Sequence, residues 1–157
     1  MRIILSLALC MGISLSLSAG QPPTPDQVLR AMHQANDYFI RQHPDPTVPT
    51  FVKKERPSNL WTRGVYFEGL MALNRIDLRA SNKEYVCQWA AFHRFTPRNG
   101  VYTRDADDYC CCQTYLEMME QADIYLNGPS VEEALLPTVQ CMDNLLHPAP
   151  ENMYCQR

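Results

Sequence analysis

The residues best equipped for chemistry lie between Arg98 and Met118. There Arg104, Asp105, Asp107 and Asp108 crowd into five positions ahead of Cys110, Cys111 and Cys112. Carboxylates this close repel one another unless water or donors separate them. They therefore belong either to a solvated helix start or to a site built to use them. An acidic first turn complements a helix dipole, which accounts for the same residues more simply. Just upstream, Asn99-Gly100 reads as a turn, because both residues tolerate positive φ.

A second group stands at Trp61 and Arg63. If the helices carrying the two groups start at the same end, an aromatic plane, a guanidinium and several carboxylates converge on one rim. That is a carbohydrate-binding arrangement: the ring stacks on a sugar, carboxylates accept hydroxyl protons, and arginine pairs with a uronic-acid carboxylate. Trp61, Arg63, Arg104, Asp107 and Asp108 are its candidate residues, and His93 is the one histidine placed near the rim. The competing account is a buried tryptophan with surface ion pairs, and His93 also suits a structural role.

Metal and nucleophile chemistry find little support. Cys110, Cys111 and Cys112 point about 100° apart around a helix, and the chain has no C-x-x-C pair. No G-x-S-x-G phrase is present either. No metal and no cofactor is expected.

The elements that position these groups are helices. Thr24, Pro25 and Gln27 form an N-terminal capping box for a first helix with Val28, Met32, Ala35 and Phe39 inward. His43 to Pro57 carries four prolines and reads as a connection. Asn59 is expected to cap a second helix, Trp61 to about Ile76, with Val65, Leu70, Leu73 and Ile76 inward. Gly64 and Gly69 inside it suggest close approach by another helix or a ligand. Ser81 with Glu84 is expected to cap a third helix with Tyr85, Val86, Trp89 and Phe92 buried. A fourth runs from Asp107 to about Tyr125, with Cys111, Tyr115, Met118 and Met119 inward. Asn127-Gly128-Pro129 stops it. Ser130 with Glu133 caps a fifth, lined by Val131, Leu135, Val139, Met142 and Leu146. The chain is all-α, and five even helices fit a bundle or one arc of a helical toroid.

Composition narrows the partners. Arg2, the apolar run Ile3 to Leu17 and Ser18-Ala19-Gly20 have the form of a cleaved secretory signal, so residues 1–20 are expected to be removed. Cleavage would leave 13 Lys and Arg against 17 Asp and Glu, a chain expected to be secreted or periplasmic. Without basic runs, neither nucleic acid nor a membrane surface is an expected partner after cleavage. Six cysteines would remain, an even count that permits disulfides without implying a framework.

The phrase from Asn59 to Leu73, with Arg98-Asn99-Gly100, Thr103-Arg104, Ala106-Asp107-Asp108 and Gln113-Thr114-Tyr115, resembles the unsaturated rhamnogalacturonyl hydrolases. These are glycoside hydrolase family 105, related to family 88. The resemblance implies a (α/α)6 toroid, of which this chain would supply about five of twelve helices as an N-terminal portion over residues 21–157. It also implies a substrate, an oligosaccharide ending in a 4,5-unsaturated uronic acid, and a reaction in which an acid protonates the vinyl ether and water adds. Asp107 matches the family aspartate close to the unsaturated sugar, and Trp61 and Arg63 match the rim. Cys112 stands where members usually have glycine. The general acid is expected in a Trp- and Asp-rich segment beyond the fifth helix, which this chain does not contain. The alternative is a non-catalytic helical carbohydrate-binding or interaction module, and a half barrel with exposed inner faces is expected to self-associate.

Overall fold

The computed structural model describes residues 22–126 and 130–147. The expected signal segment, the Asn127-Gly128-Pro129 stop and the tail from Pro148 lie outside them. Six helices occur among the described residues: α1 Pro25–Gln42, α2 Trp61–Ile76, α3 Ala80–Phe92, α4 Ala106–Glu120, α5 Ala122–Tyr125 and α6 Ser130–Leu146.

Local chemistry explains where α1 starts. Thr24 accepts from the Gln27 amide and Gln27 Oε1 accepts from the Thr24 amide at 2.8 Å, so the capping box forms as expected. Three other starts differ from expectation. Leu60, not Asn59, precedes α2 and gives no side-chain cap. α3 begins at Ala80 behind Arg79, one residue ahead of Ser81, again without a side-chain cap. Ser130 is itself the first residue of α6. At α2 and α3 the start follows packing of the helix body, which outweighs a cap's typical contribution of about 1 kcal/mol.

The connection from His43 to Pro57 also departs from expectation, because it contains a two-stranded hairpin. β1 Thr50–Val52 pairs antiparallel with β2 Lys54–Arg56, Thr50 opposite Arg56 and Val52 opposite Lys54. Lys53 turns the hairpin at φ 63°. Strands of three residues are too short to register as alternation.

Pairing directions follow from side chains that meet. On α1 and α2, His33 reaches Asp77 while Phe39 stacks on Tyr66, so these helices are antiparallel. α1 and α3 run the same way, since Asp37 meets Arg79 and the His43 carbonyl accepts from Tyr85. α2 and α4 are parallel: Gly64 lies on Cys110, Glu68 bonds Thr114, and Arg75 pairs with Glu117. α6 returns antiparallel to α4, bringing Asn144 beside Val101 and Arg104. The result is two layers, with α2 and α4 in one and α1, α3 and α6 running the opposite way in the other.

The core lies between the layers. Phe67 stacks on Trp89 at 3.9 Å between ring centroids, Trp89 leans on Tyr115 at 5.0 Å, and Met71, Val86 and Met118 complete it. Trp89 Nε1 donates to the Ser58 carbonyl at 2.9 Å, so the buried indole is satisfied. Several expected inward residues are instead exposed: Val28 on α1, Val65 and Ile76 on α2, Phe92 on α3, and Val139, Met142 and Leu146 on α6. Their places are taken by His33 and Asn36, Arg63 and Asn74, Asn82, and Thr138 and Cys141. The buried polar positions are cross-linked: Asn36 donates to Asn82 and accepts from the Tyr66 hydroxyl. The expected fourth helix breaks at Gln121 into α4 and the single turn α5.

Candidate functional site

Gly64 sets the geometry of the wall. A Cβ there would lie 3.1 Å from the Cys110 backbone carbon, so only glycine lets α2 and α4 approach this closely without a shift. Gly69, the second glycine of α2, has nothing within 4 Å of such a Cβ. It opens a shallow groove against α1 lined by Met32, Ala35, Phe39, Val65 and Leu73. Gly64 against Cys110 and Glu68 against Thr114 define one constant register between two parallel helices. One turn before Gly64 and Cys110, that register sets Trp61 level with Asp107. Both are exposed, Trp61 by 41%.

The adjacent carboxylates have opposite surroundings. Asp107 is exposed in the first turn of α4, its amide capped by Asp105 Oδ1 at 3.0 Å. Asp108 is fully buried. Asn99 Nδ2 and Thr103 Oγ1 donate to its Oδ2 at 2.6 and 2.7 Å, and Arg98 Nε lies 2.9 Å from Oδ1. Asp108 therefore ties the approaching segment, with Gly100 at φ 79°, to the start of α4. Protein donors occupy Oδ2 and the Arg98 guanidinium faces Oδ1, so the carboxylate is engaged within the fold beside Asp107. The sequence assigns Asn99 only a turn and Arg98 and Thr103 no role of their own; the signal for all three is a run of donors within ten residues of an acid.

The remaining candidates separate. Arg63 lies about 200° around α2 from Trp61. It is buried under α1, its guanidinium carbon 5.3 Å from the Phe39 ring centroid, beside a cavity of about 530 Å³ that His43, Thr50 and Val52 also line. Burial lowers its pKa, opposed by Tyr85 and Tyr66. The structure thus does not bring Arg63 to the Trp61–Asp107 rim. Arg104 Nη2 donates to the Asn144 carbonyl at 2.9 Å and so anchors the end of α6. His93, at the end of α3, meets Ser58 Oγ through Nε2 at 2.7 Å, and burial lowers its pKa to about 4. A neutral ring bridging two loops is a structural arrangement.

A carboxyl that sequence reasoning did not single out lies two turns below Trp61. Glu68 accepts from Thr114 Oγ1 at 2.8 Å across the α2–α4 seam. Burial raises its pKa, the Thr114 bond opposes that rise, and Glu117 adds to it. Among the described residues no group of three or more His, Cys, Asp or Glu could hold a metal ion.

Parallel helices lined up in one layer, backed by an opposite-running layer, define an all-α fold of the helical-toroid class. The chain belongs to Glycosyl Hydrolase Family 88, whose model matches residues 31–134, from α1 into α6. No curated protein and no solved structure matches it. The two layers are a partial toroid of that family, and the chain is a glycoside hydrolase by membership, with a carbohydrate substrate class.

Proposed function

We propose that the chain acts on lyase-generated oligosaccharides, removing a terminal 4,5-unsaturated uronic acid as the rhamnogalacturonyl hydrolases do. The observation that carries this reading is the level pairing of exposed Trp61 with exposed Asp107, beside a neighbouring aspartate locked into the scaffold. The indole offers a stacking face for the unsaturated ring. Asp107 orients the sugar or the water that adds once a general acid from the toroid's later helices has protonated the vinyl ether, and the hemiketal so formed collapses to release the shortened glycan. Residues 1–20 direct export, which would put the protein where such oligosaccharides arise outside the cytoplasm. The arc's exposed apolar edges lead a second copy to associate with it.

The test is incubation with an unsaturated rhamnogalacturonan disaccharide while the double-bond absorbance is followed, alongside calorimetric titration of the same sugar. Loss of absorbance that Asp107→Asn abolishes supports the hydrolase reading. Binding without turnover, itself lost in Trp61→Ala, would replace it with a carbohydrate-binding module. Neither binding nor turnover would refute both.

A further inference from the structure

Five cysteines lie among the described residues, and their surroundings divide them into two kinds. Cys87 donates to the Tyr125 carbonyl at 3.4 Å, Cys110 points to the Ala106 carbonyl at 3.9 Å, and Cys111 donates to the Asp108 carbonyl at 3.1 Å. Each of these has a backbone acceptor. Cys112 on α4 and Cys141 on α6 have no such acceptor. Both are free thiols in the structure; Cys112 meets Cys111 on its own helix and Cys141 across the seam between the two helices. Both are buried, Cys141 almost completely.

The seam explains why the two helices bring these positions together. Asn144 Nδ2 donates to the Val101 carbonyl at 3.1 Å, and Arg104 reaches the Asn144 carbonyl, so the last turn of α6 is pinned beside the approach to α4. Cys141 lies one turn back along α6, facing the second turn of α4. Among the described side chains of α6, the small residues Ala134, Thr138 and Cys141 are buried. Pro137 interrupts the hydrogen-bond ladder of the same helix, which leaves α6 more dependent on lateral ties.

We propose that Cys112 and Cys141 form a disulfide that clips α6 to α4. The Sγ–H bonds of both residues break and one Sγ–Sγ bond forms. Two electrons and two protons pass to a low-molecular-weight disulfide of the glutathione class, which leaves as two thiols. Exchange proceeds through a mixed disulfide on one cysteine that the other resolves. Because both sulfurs are enclosed in the folded chain, it takes place before α6 has closed onto α4. The closed loop holds the larger part of α4, the break at Gln121, the single turn α5 and most of α6, so the bond restrains the end of the arc most.

The experiment folds the full chain in a buffer of oxidised and reduced glutathione, alkylates free thiols after denaturation, and digests at glutamate. No Lys or Arg occurs between Arg104 and Arg157, whereas Glu117, Glu120, Glu132, Glu133 and Glu151 separate Cys112, Cys141 and Cys155. The expected result is a linked pair of peptides, 85–117 with 134–151, about 2 Da lighter than the sum of its reduced halves, whose fragment ions place the bond on Cys112 and not on Cys87, Cys110 or Cys111 of the same peptide. It disappears in Cys141→Ser and persists in Cys155→Ser. Reductant is expected to lower the Tm of the wild type by about 5 °C or more and to leave that of Cys112→Ala unchanged. Alkylation of both residues in the wild type would overturn the proposal. So would a linkage joining either to Cys87, Cys110, Cys111 or Cys155. The wild-type peptide map decides the matter even if a variant fails to fold.

Discussion

At the scale of single residues, the two neighbouring aspartates should separate activity from stability. Asp107 is exposed and carries no fold contact through its side chain beyond the helix start, so Asp107→Asn should abolish turnover while moving the unfolding midpoint little. Asp108→Ala strands Arg98 beside a buried, unfilled space and removes the acceptor for Asn99 and Thr103. It should cost about 3–5 kcal/mol in denaturant unfolding. Equal stability loss in the two variants would contradict the division of roles. His93 adds a pH dependence. Its folded pKa near 4 lies below the ordinary 6.5, so the unfolded state binds more protons between those values. Stability is therefore fully present above about pH 6.5 and lost as pH falls towards 4. The loss attributable to the ring should be about 1–2 kcal/mol after allowing for its partial exposure, and His93→Gln should flatten that slope. Glu68 works in the opposite sense: its raised pKa makes the native state the stronger proton binder just above the ordinary carboxyl range, so its contribution declines as pH rises there.

At the scale of elements, the two glycines of α2 provide a matched pair. Gly64→Ala places a methyl 3.1 Å from Cys110 backbone, which cannot swing aside, so α2 and α4 must part and about 1–3 kcal/mol should be lost. Gly69→Ala meets nothing within 4 Å and should be neutral or stabilising by up to about 1 kcal/mol through helix propensity. Thermal unfolding of the two variants checks both signs. The same glycines show what the sequence could convey. It marked both for close approach, but only Gly64 has a neighbour, because a glycine's spacing does not say which side of its helix is covered. The number and span of the long helices, and the common direction of those starting near Trp61 and Asp107, were legible from periodicity and antiparallel succession. Inward faces were less so. An inner helix touches neighbours on three sides, and the apolar residues left over on α2, Trp61, Val65, Gly69, Ala72 and Ile76, face outward. Periodicity finds an apolar stripe but not the neighbour it serves. Arg63 was unreadable for a related reason: two residues from Trp61 on a helix is nearly the opposite face, and burial under Phe39 is a tertiary fact. Asp108 was legible as an acid in a functional phrase, while its neutralisation by Arg98 depends on how the preceding turn folds back.

At the scale of the whole molecule, both edges of the arc end in apolar surface. Beyond α1 and α2 lies the groove of Met32, Ala35, Phe39, Val65, Leu70 and Leu73. Beyond α4 and α6 lies another, lined by Leu116, Met119, Val139 and Met142. Leu136, Leu145 and Leu146 on α6 are exposed as well. Apolar surface of this extent is favourable to bury, at roughly 25 cal/mol per Å². The two edges differ in residue content, so a contact joining one to the other is head-to-tail. Such a contact builds rings or open chains instead of stopping at a two-fold dimer. The chain produced alone should therefore sediment as a concentration-dependent mixture extending beyond dimers between roughly 1 and 100 µM. Val139→Glu on one edge, or Val65→Glu on the other, should each shift that mixture towards monomer, because either substitution disables one half of every contact. The double variant should add little to the better single one. A chain that stays monomeric throughout this range would show that its exposed edges are not self-complementary, and a discrete dimer untouched by either substitution would place its interface elsewhere.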